Sequence, residues 1–178
     1  MGTGLGIMTT EKTSAFSVYG EKAVRALVGW LASVAAAIAP PVLRIALALP
    51  FFRSGLTRWD GFLALSQSTL YLFEDEFKLH VFGEQYAFPE PDVIAHLVAT
   101  AEITLPILLV LGVATRFVGL ALLAMTGVVQ LTVPEGWANF HLYWAAIALA
   151  IIALGPGALS VDRLIERFWR RWATNGGA

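Results

Sequence analysis

The sequence predicts an all-α protein: a membrane-embedded four-helix bundle with an additional N-terminal helix and a C-terminal amphipathic helix. Three observations carry this. Apolar residues make up 57% of the 178 positions and charged ones 14%, with a mean hydropathy of +0.69; soluble domains run nearer ~45–50% and ~25%. Three apolar runs, 93–112, 117–133 and 137–154, are each about long enough to cross a bilayer at 1.5 Å per residue. Six Trp, four Tyr and eleven Phe supply rings of the kind that membrane interfaces collect. The lipid bilayer is therefore the first partner, and the length fits one domain.

The elements follow in order. Residues 1–20, beginning "MGTGLGIMTTEKTS", read as a flexible tail. Glu11, Lys12 and Glu21 interrupt this start, so no cleavable signal peptide is expected. Residues 21–40 read as an interfacial or packing helix. Pro40 and Pro41 follow, and proline disfavours helical geometry in the residue before it, so a break is expected there. The first span then covers 42–62, with Arg44 near its start and Arg53 near its middle. If 23–39 also crosses, the count becomes five. The region 41–160 forms the four-span domain, and 161–178 a cytoplasmic amphipathic segment and tail. Pro134 precedes the last span and "GPG" at 155–157 ends it. The connection 63–92 is too long for a plain hairpin and mixes aromatics with acids, which suits a short helix and a cap.

Charge orients the chain. Arg163, Arg167, Arg170 and Arg171 follow the last span, and Arg116 sits in a short turn. Glu74, Asp75, Glu76, Glu84, Glu90 and Asp92 crowd the long connection. Positive-inside places the former in the cytoplasm, so four spans put both termini there, in a multi-pass protein of the bacterial inner membrane. A net charge of −1 offers no case for nucleic acid. The absence of cysteine excludes disulfides, thiol redox chemistry and thiolate-held metals in this chain.

Ionisable groups inside spans are functional candidates by default. Glu102 sits midway through the second span and Arg53 midway through the first, and antiparallel spans bring them to similar depth. Pairing offsets the desolvation of both. The pair is read either as a structural tie between two helices or as a group that transfers protons or binds a polar head group; separate, unpaired positions are the third reading. Pro106 removes the hydrogen bond to the carbonyl of Glu102 and should kink the helix there. A second group gathers near one boundary: Arg58 and Trp59 after the first span, His96 early in the second, Gln130 late in the third, and Trp137, Asn139 and His141 opening the fourth. It offers donors and aromatic walls to a ring-shaped carbonyl compound; its bland reading is an interfacial belt. The three histidines form no ligand cluster that supports a metal, and none is expected. His80 reads as a surface residue. Gly112, Gly119 and Gly127 suit close helix packing.

Four stretches in this order resemble the DoxX family of small four-helix membrane proteins: "LRIALALPFFRSGLTRW", "ATAEITLPILLVLGVATR", a third span rich in small residues, and "LGPGALSVDRL". The resemblance covers about 43–165. "SGLTR" carries arginine, Arg58, where the family's pattern carries lysine. The resemblance implies a quinone-linked or redox-accessory role beside a redox partner protein. From it follows the expectation of a quinone-interacting subunit, with Arg53, Arg58, His96, Glu102, Gln130, Trp137 and His141 as the candidate ligand residues. The alternative is a non-catalytic anchor or assembly factor that holds a soluble enzyme through "VDRLIERFWRRW". A small-molecule transporter ranks third, because no inverted repeat is visible. Self-association and catalysis by the chain itself are left open by the sequence.

Overall fold

The computed structural model describes residues 7–175, and side chains from 20 to 173. It divides into two units, Met1–Ala39 and Pro40–Ala178. Six helices run α1 (Ile7–Leu56), α2 (Gln67–Tyr71), α3 (Pro91–Leu111), α4 (Thr115–Thr132), α5 (Leu142–Leu154) and α6 (Val161–Asn175). Two short antiparallel hairpins lie in the long connection: β1 (Trp59–Gly61) with β2 (Ala64–Leu65), and β3 (Lys78–Val81) with β4 (Glu84–Ala87). Single π-helical turns continue α2 over 72–76 and precede α5 over 137–141. Among the described residues four stretches are long and apolar enough to cross a membrane: Gly20–Leu56, Pro91–Leu111, Thr115–Thr132 and Pro134–Leu154. The chain is an all-α, multi-pass membrane protein.

Three expectations need correction. Helical geometry persists through Pro40, Pro41 and Pro50, so the break expected at 40–41 is absent. Each proline deletes one backbone hydrogen bond, but in apolar surroundings the remaining backbone has no better partner than its own helix. The tail expected over 1–20 is helical from Ile7; residues 1–6 lie outside the described residues. The separate helix expected over 21–40 is thus the leading part of α1. Among its described side chains, those from 20 to 38 are exposed almost throughout, including Val24, Leu27, Val28, Trp30 and Leu31.

Within the second unit the core has two parts. Leu47, Ala48 and Phe51 of α1 pack with Leu109, Val118, Leu122, Ala148 and Ile151 from the other three spans. A second cluster joins Leu65 and Phe73 of the long connection to Ala95 and Ala99 of α3. The reason is a mismatch of helix ends. Arg44 donates to the carbonyl of Val110, and Gly55 lies against the backbone of Glu102, so α1 and α3 run antiparallel and α1 stops one residue later. About 16 Å of α3 extends beyond Glu102 toward Pro91. The connection fills that space. Its irregular backbone is satisfied internally: the Ser66 amide donates to the carbonyl of Arg58 at 2.9 Å, and Ser66 caps α2 through Thr69 N. That is the condition for non-helical chain beside a span.

The opposite end of the unit is closed by a polar knot. Arg44 is 2% exposed and donates to the carbonyls of Val110 and Leu159. Asp162 accepts from Ala114 N, Thr115 N and the Thr115 hydroxyl at 2.7–2.8 Å, capping α4 from α6. Gly112 turns here at φ +73°, and a Cβ on it would fall 2.2 Å from the Arg44 guanidinium.

Candidate functional site

The two core clusters meet at Glu102, which is 3% exposed. Its carboxylate accepts three hydrogen bonds from two residues, Ser54 in the last turn of α1 and Arg58 in the turn that follows. Arg58 Nε donates to Oε2 at 3.0 Å and Arg58 Nη2 to Oε1 at 3.3 Å; the Ser54 hydroxyl donates to Oε1 at 3.1 Å. The guanidinium also lies over Phe73 and Phe77, 5.4 and 5.9 Å from the ring centroids. Cation–π attraction adds to the ion pair where water is excluded. The Arg58 side chain is 14% exposed, so this is a buried, fork-like pair.

A cavity of about 130 Å³ opens beside it. Ser54, Arg58 and Glu102 form its polar side; Phe51, Phe73, Phe77, Phe88 and Trp144 supply rings, and Met125, Val128 and Val129 the aliphatic wall. An apolar cavity on the order of 150 Å³ takes one benzene ring. Arg58 has five N–H donors, of which two hydrogen-bond Glu102. The arrangement can therefore hold one flat ring and donate to an oxygen on it.

The expected partner of Glu102 was Arg53, and this is corrected: Arg53 is exposed and the partner is Arg58. Ser54 lies in the last turn of α1, and Arg58, in the turn that follows, folds back beside it so that both reach the same carboxylate. Arg53 points elsewhere on the turn, toward the surroundings of the bundle. Placing Arg53 at mid-span assumed that the first span ran to 62; it ends at Leu56, and Arg58 reaches back from the turn that follows.

The other candidates do not form one group. His141 is buried, and its Nδ1–H donates to Gln130 Oε1 at 2.7 Å. Its ring lies 5.3 Å from Trp144, which lines the cavity, so these two residues back the site from behind. Gly136 leaves room for that imidazole. His96 is exposed, donates to the carbonyl of Asp92 at 2.8 Å and meets Trp59 edge-on. Trp137 is 48% exposed at the start of its π-turn and lies outside the cavity lining. His80 donates to the carbonyl of Leu131, tying β3 to the end of α4. Sequence reasoning missed Ser54 and the phenylalanines of the connection. The i, i+4 spacing of Ser54 and Arg58 within "SGLTR" was the available signal; nothing local marks Phe73, Phe77 or Phe88. Among the described residues no group of three or more His, Cys, Asp or Glu gathers to hold a metal ion.

A family model described as DoxX matches residues 39–135, more than half of the chain. The chain belongs to the DoxX family. The matched region of this DoxX protein begins one residue before Pro40 and holds Arg58, Glu102 and most of the cavity lining. A Haemophilus influenzae protein, described as uncharacterized, is 28% identical over 136 residues, covering 72% of this chain and 83% of that one. No solved structure matches the DoxX chain.

Proposed function

We propose that this DoxX protein binds the head group of an isoprenoid quinone, as a quinone-interacting or redox-accessory subunit of a membrane oxidoreductase system. The observation that carries the reading is the cavity at the Arg58–Glu102 pair. A quinone ring needs a flat apolar slot with a hydrogen-bond donor at its carbonyl oxygen. The slot has ring-sized volume, five aromatic side chains and a guanidinium fixed by a carboxylate. Arg58 would orient the ring by donating to one carbonyl oxygen, and Glu102 fixes that guanidinium while lying close enough to accept or release a proton at the same place. The bound quinone would supply the redox chemistry. Electrons come from a partner protein or a soluble reductant, since the chain has no cysteine.

The reading places the protein in a bacterial inner membrane with both termini cytoplasmic, which puts the cavity in the outer half of the bundle. The test is purification in mild detergent, organic extraction and quantification of isoprenoid quinone against phospholipid. Enrichment well above the membrane's own quinone-to-lipid ratio, lost in Arg58→Gln with the protein still folded, is the expected result. Quinone at the lipid background in the wild type refutes the reading.

A further inference from the structure

The knot end of the second unit carries a surface that the quinone reading does not use. Helix α6 has its apolar side chains at i, i+1, i+4, i+5 and i+8: Leu164, Ile165, Phe168, Trp169 and Trp172. They are 49–70% exposed, and nothing in the second unit covers them. Arg163, Arg167, Arg170 and Arg171 lie on the remaining face. So strong an amphipathic segment, rich in Trp and Arg, is built for a membrane interface. Its first turn is pinned at the ends of the spans: Asp162 caps α4, and the Asp162 amide donates to the carbonyl of Gly112.

At that hinge lies an open, polar cavity of about 680 Å³, lined by Thr115, Arg116, Gly157, Asp162, Arg163 and Glu166, with Phe117 and Leu154 at its span side. Arg116 stands out. Its guanidinium lies flat on the Gly155 turn, where a Cβ would sit 3.2–3.6 Å from three of its atoms. Gly155 ends α5, so this places the charge at the level where a span gives way to head groups. Among the described residues Arg116 makes no hydrogen bond or ion pair. Asp162 is already committed to the α4 terminus and the Arg44 charge, and Glu166 to Arg163 and Arg170. The acids lining the cavity are thus spoken for, and Arg116 is left for an anion from outside.

We propose that α6 and the Arg116 cavity together bind an anionic phospholipid: its phosphate diester meets Arg116 and Arg163 in the cavity, while Trp169, Phe168 and Leu164 lie among the acyl chains of the same leaflet. Lipid is the occupant because the unpaired Arg116 lies in a cavity at the ends of α4 and α5, and the cavity is lined by the first turns of the same helix that carries the exposed apolar face. A soluble anion would have no use for the face, and a soluble partner protein none for charge set at head-group level.

The test uses the full-length protein in nanodiscs of phosphatidylglycerol or of phosphatidylcholine at matched ionic strength. The wild type should melt roughly 2–4 °C higher in phosphatidylglycerol. The gap should shrink at 1 M salt, where screening acts within ~3 Å. Arg116→Gln should lose at least half of the gap and melt like the wild type in phosphatidylcholine. Native mass spectrometry of the wild type, which needs no variant, should retain phosphatidylglycerol in preference to phosphatidylcholine. Equal melting in the two lipids, or an Arg116→Gln loss of equal size in both, overturns the proposal; the latter would make Arg116 a packing residue for the GPG turn. Millimolar inorganic phosphate that reproduces the shift in phosphatidylcholine also overturns it, by assigning the cavity to a soluble anion. None of these readouts depends on quinone.

Discussion

Glu102 has a partner because of where α1 ends: Ser54 in its last turn faces α3, Arg58 reaches back to the same carboxylate from the turn that follows, and Arg53 lies exposed. Removing one member of a buried pair leaves a charge stranded in a low-dielectric site, at a cost of about 3–5 kcal/mol. Arg58→Gln and Glu102→Gln should therefore each lower the Tm in detergent, and the double change should recover part of the loss. Arg53→Gln should leave Tm within error. Thermal melts of the four variants decide this; a loss in Arg53→Gln equal to that in Arg58→Gln would contradict the geometry. Asp162 allows a second measurement at this scale. Burial pushes its carboxyl up, but the hydrogen bonds from Thr115 and Ala114 and the Arg44 charge outweigh that and hold it below the usual carboxylate range. A carboxyl depressed in the folded state stabilises fully above its unfolded value and loses that stabilisation as pH falls through the folded one. Asp162→Asn should cost about 2 kcal/mol at pH 7, and the difference from wild type should narrow as pH falls from the ordinary aspartate value through the lowered folded one. A gap that does not narrow at any pH down to acid unfolding would refute the assignment. The presence of a partner for Glu102 was legible in the sequence, since a lone carboxylate at mid-span is costly. Which arginine it takes depends on where α1 ends, and no local pattern states that.

The spans were legible as elements because lipid-facing helices must be apolar nearly all round, and that composition survives any packing arrangement. The prolines misled because the rule against helix before proline weighs local geometry, whereas a backbone in apolar surroundings keeps every remaining hydrogen bond. Where α1 and α3 cross, Gly55 has no room to grow: a Cβ would lie 2.9 Å from the backbone carbon of Glu102. Gly55→Ala should force the helices apart and cost about 1–3 kcal/mol, while also loosening the Ser54 and Arg58 hydrogen bonds to Glu102. A melt with Gly55→Ala at wild-type Tm would show that the crossing is looser than this geometry. Helix α6 has two separable parts, a first turn that caps α4 and a remainder whose apolar side chains lie exposed. Truncation after Glu166 should retain the Tm measured in detergent, and truncation before Val161 should lower it, because only the second removes Asp162. Equal melting of the two truncations would assign the stabilisation elsewhere.

At the scale of the whole molecule the open quantity is sidedness. About 20 residues make one crossing, and the stretch Gly20–Leu56 holds 37. The proposed sidedness, with both termini cytoplasmic, is supported by the arginines of α6 and the acids of the long connection. The absence of cysteine makes this directly measurable, since any introduced thiol is the sole target. Phe82→Cys at the exposed β3–β4 turn should react with an impermeant maleimide added to intact spheroplasts, and Ala173→Cys only after lysis. Reactivity of Ala173→Cys in intact spheroplasts would invert the topology. Gly20→Cys should behave as Ala173→Cys does; labelling from outside would require a fifth crossing and a break within α1, against the continuous helix seen here.

The sequence by itself determined the solvent of this protein, the number of apolar spans that follow Pro91, the family it resembles and the carboxylate that anchors its site. Each of these is written in composition or in residues adjacent along the chain. Only the tertiary structure decided that α1 stops beside Glu102, that the long connection fills the remaining depth of the bundle, and that Phe73, Phe77 and Phe88 wall a cavity with Trp144 from α5. Those residues are separated by up to about seventy positions, and aromatic side chains carry the same local signal in a surface loop as in a binding site. What distinguishes the two is which apolar face lies opposite, and that is fixed by where α1 and α3 cross and by how far α3 runs on past the crossing.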